Sequence, residues 1–132
     1  MYGLLDISTS GLIAQRTRLN VIAANLANRS TLLGPDGEFE PYRRRIPILA
    51  SGTAAGGPGV HVEAIEIDQS PLAMRYEPGS RFADADGYVS YPNVSPVIEQ
   101  MNAMEAMRAY EANITTIEAT KSMMNIAFRI IA

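Results

Sequence analysis

Cysteine and tryptophan are absent from the 132 residues, and histidine occurs once. Without cysteine there is no disulfide, no thiolate nucleophile and no cysteine-based metal site. A cysteine-free chain fits the cytosol, and equally a compartment outside it where no disulfide staples are used. Aromatic residues make up 7% of the chain, so burial falls to Leu, Ile, Val, Met and Ala. Positive charge is not in excess: 11 Lys and Arg face 14 Asp and Glu, for a net charge of −3. Nucleic-acid binders need a basic face to neutralise phosphates. Here the lone basic run, Arg43-Arg44-Arg45, alternates across an expected strand and makes no single patch. No apolar run approaches the ~20 residues of a membrane helix. The N-terminus lacks the basic start and apolar core of a secretory signal, so any export is expected to proceed without a cleaved leader.

The apolar fraction of 47% is that of a folded protein. A chain this short buries a modest share of its surface alone and gains stability by association. Residues 1–30 are expected to form an N-terminal helix, 31–92 a β-rich or extended insert with flexible loops, and 93–132 a long C-terminal helix. The predicted class is α+β, with the two terminal helices in a coiled-coil-like pair and the small insert between them.

In the first segment, Leu5, Leu12, Leu19 and Leu26 recur every seven residues, with Ile22 and Ala23 beside them. This spacing puts the leucines on one helical stripe between about Leu4 and Asn28. Ser8 and Gln15 interrupt the stripe, and Gly3 and Gly11 each weaken the helix by about 1 kcal/mol relative to Ala. In the insert, Gly34-Pro35-Asp36-Gly37 is a turn signal. Tyr42 to Ala50 reads as a short strand that Pro47 confines to an edge, and the glycine-rich 51–59 stretch reads as a flexible connection. The alternation from Val60 to Ile67 predicts a strand with one buried face. Pro71, Pro78 and Gly79 break the stretch after it, and Tyr88 to Tyr91 reads as a short extended piece.

In the third segment Ser95 suits an N-cap and Pro96 the first helical position. From Val97 to Ile131 there is neither Pro nor Gly. Apolar residues fall at Val97, Met101, Met104, Met107, Tyr110, Ile114, Ile117, Met124, Phe128 and Ile131. Such a helix is about 50 Å long at 1.5 Å per residue. A first helix of roughly 25 residues cannot cover it, so the remaining greasy length is expected to be hidden by other chains. The terminal segments of an isolated chain are then expected to be cut by protease before the insert.

Chemistry-bearing constellations are scarce. His61 lies on the polar phase of its strand beside Glu63 and lacks the further ligands a metal site needs. Asp84-Ala85-Asp86-Gly87 has half the pattern of a calcium loop, but Phe82 and Asn93 stand where terminal Asp and Glu ligands belong. A turn whose Asp side chains bond local backbone fits better. No histidine base is placed for a catalytic serine. Glu99, Glu105, Glu111 and Glu118 are expected on the solvated face of the helix, with an Arg108–Glu111 pair at i,i+3. Methionines at 101, 104, 107, 123 and 124 suit either a helix core or an adaptable docking surface. Asn28 suits either a neighbour contact or a helix C-terminus. No cofactor, metal, small-molecule substrate or enzymatic activity is expected.

Several segments in order resemble the bacterial flagellar rod and hook family. Ala23-Ala24-Asn25-Leu26-Ala27-Asn28, following Asn20-Val21-Ile22, is similar to that family's Asn-Leu-Ala-Asn motif. Gly34-Pro35-Asp36-Gly37 with Pro41-Tyr42-Arg43 resembles its turn and following strand. Arg108-Ala109-Tyr110-Glu111-Ala112-Asn113, with Lys121-Ser122-Met123-Met124, is similar to the C-terminal motif. Tyr76-Glu77-Pro78-Gly79, Ala83 to Val89 and Pro92-Asn93-Val94 resemble a short proximal-rod member in particular. Two stretches depart from the pattern, Glu38-Phe39-Glu40 and Ser80-Arg81-Phe82. The resemblance implies a structural subunit of the basal body's proximal rod, in the periplasm, joined to other rod proteins and further copies in a torque-transmitting helical tube. It also implies passage through the flagellar type III export apparatus. The assembly interface is expected at Leu5, Leu12, Leu19, Ile22, Asn25, Leu26 and Asn28 on the first helix. On the second it is expected at Met104, Arg108, Tyr110, Asn113, Ile114, Ile117, Met124 and Phe128. Another short axial rod protein, or a free-standing coiled-coil binding module, is the alternative.

Overall fold

The structure, a computed structural model, describes residues 2–131. These form α1 (Tyr2–Ala27), β1 (Arg45–Ser51), β2 (Val60–Ile67), β3 (Ala73–Tyr76), β4 (Tyr88–Tyr91) and α2 (Pro96–Ile131). The α+β class and the paired terminal helices are as expected.

Both helices end where local chemistry stops them. The Ser95 carbonyl accepts the Glu99 N–H at 3.0 Å, with Pro96 at the first helical position, where its missing N–H costs nothing. At the end of α1, the backbone N–H and side-chain amide of Asn28 both donate to the Ala24 carbonyl, at 3.1 and 2.8 Å. Thr31 Oγ1 then donates to Asn28 Oδ1 at 3.1 Å. Asn28 thus caps the helix end at the Ala24 carbonyl, one of the last four that have no partner inside the helix.

The helices pack antiparallel in a readable register. A Cβ on Gly11 would stand 2.8 Å from Asn113 Nδ2, Arg18 lies 3.7 Å from Glu105, and Asn25 bonds Glu99. Steps of seven along α1 therefore answer steps of eight and six back along α2. Continued to its first residue, α1 reaches only about Lys121 or Ser122, so Met123–Ile131 extend roughly 13 Å beyond it at 1.5 Å per residue.

The seam corrects the sequence reading. Apart from Val21 and Ile22, its buried residues are small or polar: Ser8, Gly11, Ala14 and Asn25 from α1, with Glu99, Ala106 and Thr120 from α2. Small side chains let the two backbones approach closely, and Gly11, which weakens an isolated helix, here makes room for Asn113. The leucines at 5, 12, 19 and 26 are half-buried at its flank. Most of the large apolar residues expected along α2 face outward instead, among them Val97, Met101, Met104, Met107 and Phe128.

The insert consists of two antiparallel hairpins. β1 pairs with β2 from Arg45↔Ile67 to Ser51↔Val60, and the register shifts between Ile48 and Leu49, leaving Glu63 as a bulged extra residue. The tip docks on α1: Ser10 Oγ accepts the Val60 N–H at 3.1 Å and donates to the Ile7 carbonyl at 2.7 Å. Gly59, at φ +135°, passes so close that a Cβ there would meet Ser10 Oγ at 2.5 Å. From Ser10 to Asn25, α1 rises about 22 Å, close to the roughly 20 Å from Arg45 to Ser51 along the seven-residue β1. β3 pairs with β4 from Ala73↔Tyr91 to Tyr76↔Tyr88, around a turn in which Asp84 Oδ1 accepts the N–H groups of Asp86 and Tyr88 at 3.0 and 2.8 Å. The side chain of Asp84 bonds local backbone there, as its sequence suggested.

Three strand expectations are revised. β1 begins at Arg45, not Tyr42, because the Tyr42 N–H bonds the Thr31 carbonyl and the Arg44 N–H bonds Asn93 Oδ1. β2 does not bury one face: every residue from Glu63 to Ile67 is exposed. β3 was not expected, since its four residues are all exposed and carry no alternation.

Candidate functional site: a polar junction and an uncovered helix face

Where α1 ends, β1 begins and α2 starts, one side chain meets all three. Asn25 is 1% exposed, and its amide is fully engaged. Nδ2 donates to the Arg45 carbonyl at 2.9 Å and to Glu99 Oε2 at 3.1 Å. Oδ1 accepts the Arg45 N–H and the Tyr42 hydroxyl, each at 2.9 Å. Asparagine suits this place because it offers two donors and two acceptor lone pairs in one plane, and so bonds the edge of β1 as a strand would.

Glu99 departs from the sequence reading. It was expected on the solvated face, yet it is fully buried in the first turn of α2. Its other oxygen accepts Arg44 Nε at 2.6 Å, and Arg44 Nη1 reaches Asp68 Oδ2 at 3.4 Å. Asp68 Oδ1 accepts the Ser70 N–H at 2.9 Å and also the Ser70 hydroxyl. Asn93 Nδ2 ties the Asp68 and Ser70 carbonyls at 3.2 Å each. The buried carboxylate is thus paired and hydrogen-bonded, as burial of a charge requires.

Electrostatics mirror the same contacts. Burial alone would lower the Arg44 pKa, but the hydrogen bond and charge of Glu99, and then those of Asp68, leave it raised. The Ser70 hydroxyl and N–H hold the Asp68 carboxyl below the usual carboxylate range, with Arg44 adding to them. Burial raises the Tyr42 hydroxyl; the Arg45 charge opposes this and the Glu99 charge adds to it.

The expected interface residues divide in three. Ile22 and Asn25 are buried inside the chain, so Asn25, expected to contact neighbours, spends its bonds internally. Leu5, Leu12, Leu19, Leu26, Asn28, Tyr110, Asn113, Ile117 and Met124 are half-buried. Met104, Arg108, Ile114 and Phe128 are exposed. Asn113 Nδ2 donates to the Ala109 carbonyl at 2.9 Å against Gly11. Arg108 and Glu111, expected as a pair, are both exposed, and the ion pairs among the described residues do not include them. His61 Nδ1 lies 2.8 Å from the Gly52 carbonyl, a turn-stabilising contact. Phe39 and Phe82, from the two stretches that depart from the family's pattern, stack with centroids 5.0 Å apart.

Along and beyond the helix pair the apolar surface is uncovered. A compact chain of 14.3 kDa exposes about 6,800 Å², whereas this one exposes 8850 Å². The overhang contributes to that surface: Met123, Ile126, Phe128, Ile130 and Ile131 are all exposed, the last at 84%. Among the described residues no group of three His, Asp or Glu side chains is placed to hold a metal ion. Among the described residues no helix is long and apolar enough to cross a membrane.

Comparison with known proteins bears on the same two helices. The family model described as flagella basal body rod protein matches residues 5–31, and that described as flagellar basal body rod FlgEFG protein C-terminal matches 85–130. The flagellar basal-body rod protein FlgC of Salmonella typhimurium is 45% identical over 94% of this chain and 92% of its own length. The chain belongs to the FlgC family of flagellar basal-body rod proteins. Its role is structural, as a subunit of the basal-body rod. Members from Bacillus subtilis and Borreliella burgdorferi are each 38% identical, covering 96% and 99% of this chain. The match to the first family model holds most of α1 and its cap, and the match to the second holds β4 and nearly all of α2. Asn25 and Glu99, which join the helices, therefore fall one in each matched region.

Proposed function

We propose that the chain serves in the proximal part of the rod, joined to other rod proteins and to further copies of itself in a torque-transmitting helical tube across the periplasm. The observation that carries this reading is the overhang: Met123–Ile131 extend past α1 with apolar side chains exposed. Exposed apolar area of this kind marks a surface that association covers. Met104, Ile114 and Phe128 are the contacts we assign to neighbouring chains, with Arg108 beside them and the half-buried leucines of α1 at the flank. Asn25 and Glu99 act differently, holding the insert at a fixed angle to the helices so that load passes between them. The work is mechanical, without catalysis or cofactor. Entry through the flagellar type III export apparatus belongs to the same proposal.

The test is a set of aspartate substitutions at Ile114 and Phe128, scored for presence in isolated basal bodies and for swimming. Both variants should be missing from the rod and leave cells non-motile. Normal incorporation and swimming would contradict the proposal.

A further inference from the structure

Each hairpin has two outer edges, and they are not equivalent. On β1, Arg45 turns its N–H and carbonyl outward, and both are taken by Asn25. Two residues on, Pro47 has no N–H to offer. The β1 edge is therefore closed from Arg45 to Pro47. Across the ladder, Arg45 faces Ile67 and Pro47 faces Ile65. Outward-turned residues of an antiparallel pair lie opposite each other, so Ile65 and Ile67 point their own N–H and carbonyl groups to the free side of β2. Beyond Ala64 the Glu63 bulge breaks this edge, leaving four usable residues, Ala64–Ile67.

The second hairpin has a matching edge. The Glu77 N–H bonds the Gly87 carbonyl at 2.9 Å, which fixes the alternation along β3. Arg75 bonds inward to Val89, while Met74 and Tyr76 turn their backbone groups outward. β3 is also four residues long and exposed throughout.

We infer that the open edge of β2 takes β3 of a second copy as an antiparallel neighbour, with Ile65 opposite Tyr76, Glu66 opposite Arg75 and Ile67 opposite Met74. This deepens the proposed function and rests on it. The pairing sets one carboxylate against one guanidinium between two apolar pairs, and the outward backbone groups of all four flanking residues find partners. The chain's own β3 cannot supply the strand. Asn93 holds the carbonyls of Asp68 and Ser70, and Arg43 Nη1 donates to the Ser70 carbonyl at 3.1 Å, which directs β3 onto β4. The two edges are different surfaces, so the contact is head-to-tail and can repeat from copy to copy, unlike the self-complementary contact of a closed dimer.

Absence of cysteine makes the test clean. Residues 66 and 75 would form a non-hydrogen-bonded pair with Cα atoms about 4.5 Å apart, inside the span a disulfide bridges. Glu66→Cys and Arg75→Cys chains are co-expressed, basal bodies containing both are isolated, and copper–phenanthroline is added. A cross-linked dimer that requires both variants is expected, and the double variant should give a ladder of linked chains. A double variant that closes only on itself as a monomer, or basal bodies holding both chains without the link, overturns the inference. Incorporation and swimming are scored separately, so the rod assignment can stand while the strand addition fails. As a second measurement, Glu66→Arg should reduce swimming and Arg75→Glu should restore it in the same chain; absence of rescue counts against the pairing.

Discussion

Replacing Asn25 by alanine removes one side chain and leaves four groups without partners: the Arg45 N–H and carbonyl, the Tyr42 hydroxyl and Glu99 Oε2. Tyr42 is only half-buried and can turn to water. The Arg45 groups lose about 1 kcal/mol each, and the buried carboxylate oxygen loses about 1.5–3 kcal/mol. The expected loss is about 3–5 kcal/mol, which at roughly 3–6 °C per kcal/mol lowers the melting temperature by about 10–30 °C. Asn25→Asp sharpens the test because it keeps the shape. It puts a carboxylate oxygen where Nδ2 stood, 3.1 Å from Glu99 Oε2. At an effective dielectric of ~20 that repulsion is about 5 kcal/mol, which favours uptake of a shared proton. The folded pair thus has a raised affinity for protons, so this variant should lose stability as pH rises and regain it between pH 7 and about 5. Urea unfolding monitored by far-ultraviolet circular dichroism at the two pH values reads both effects. A loss below about 1 kcal/mol for the alanine variant, or no pH response for the aspartate variant, would refute the junction as described.

Gly11→Ala should change stability by less than about 1 kcal/mol, since the helix-propensity gain offsets a small shift of the Asn113 amide. Gly11→Leu should lose about 1–3 kcal/mol by overpacking the seam; thermal melts of both decide. The lowered pKa of Asp68 means that its contribution is fully present above the unfolded value of about 3.9 and is lost as pH falls through the lower folded value. The difference in unfolding midpoint between the natural chain and Asp68→Asn should therefore be flat above pH 5 and shrink below pH 4. Phe128→Asp should leave the melt of the isolated chain within about 0.5 kcal/mol, because the ring is exposed there. Rod incorporation should nevertheless be lost. A parallel fall in both would assign Phe128 to the chain's own core.

The elements were legible in the sequence where one signal dominated. Ser95-Pro96 and the Pro- and Gly-free run behind it placed α2 (Pro96–Ile131) to within a residue, and alternation bounded β2 at Val60–Ile67. The packing was not. Heptad leucines and the methionine stripe mark the greasy faces of the helices, but the face each turns to the other is lined by Gly11, Ala14 and Ala106. Small residues carry little hydrophobic signal, and what selects them is backbone approach. Glu99 was missed for a related reason: a glutamate in a first turn is ordinarily solvated, and only the approach of Asn25 and Arg44 from distant segments makes its burial tolerable. The Asn25 motif supplied a position of interest without showing that its bonds turn inward. β3 left no trace because its short, fully exposed strand never alternates.

The most direct measurement is hydrogen exchange of residues 123–131, made on the chain dilute in solution and again within isolated rods. The free chain should exchange these amides at nearly unprotected rates while Glu99 to Asn113 stay slow, and the rod should slow the whole of α2. Equal, strong protection of 123–131 in the dilute chain would mean that one copy satisfies its own C-terminal helix, contrary to the account given for the overhang.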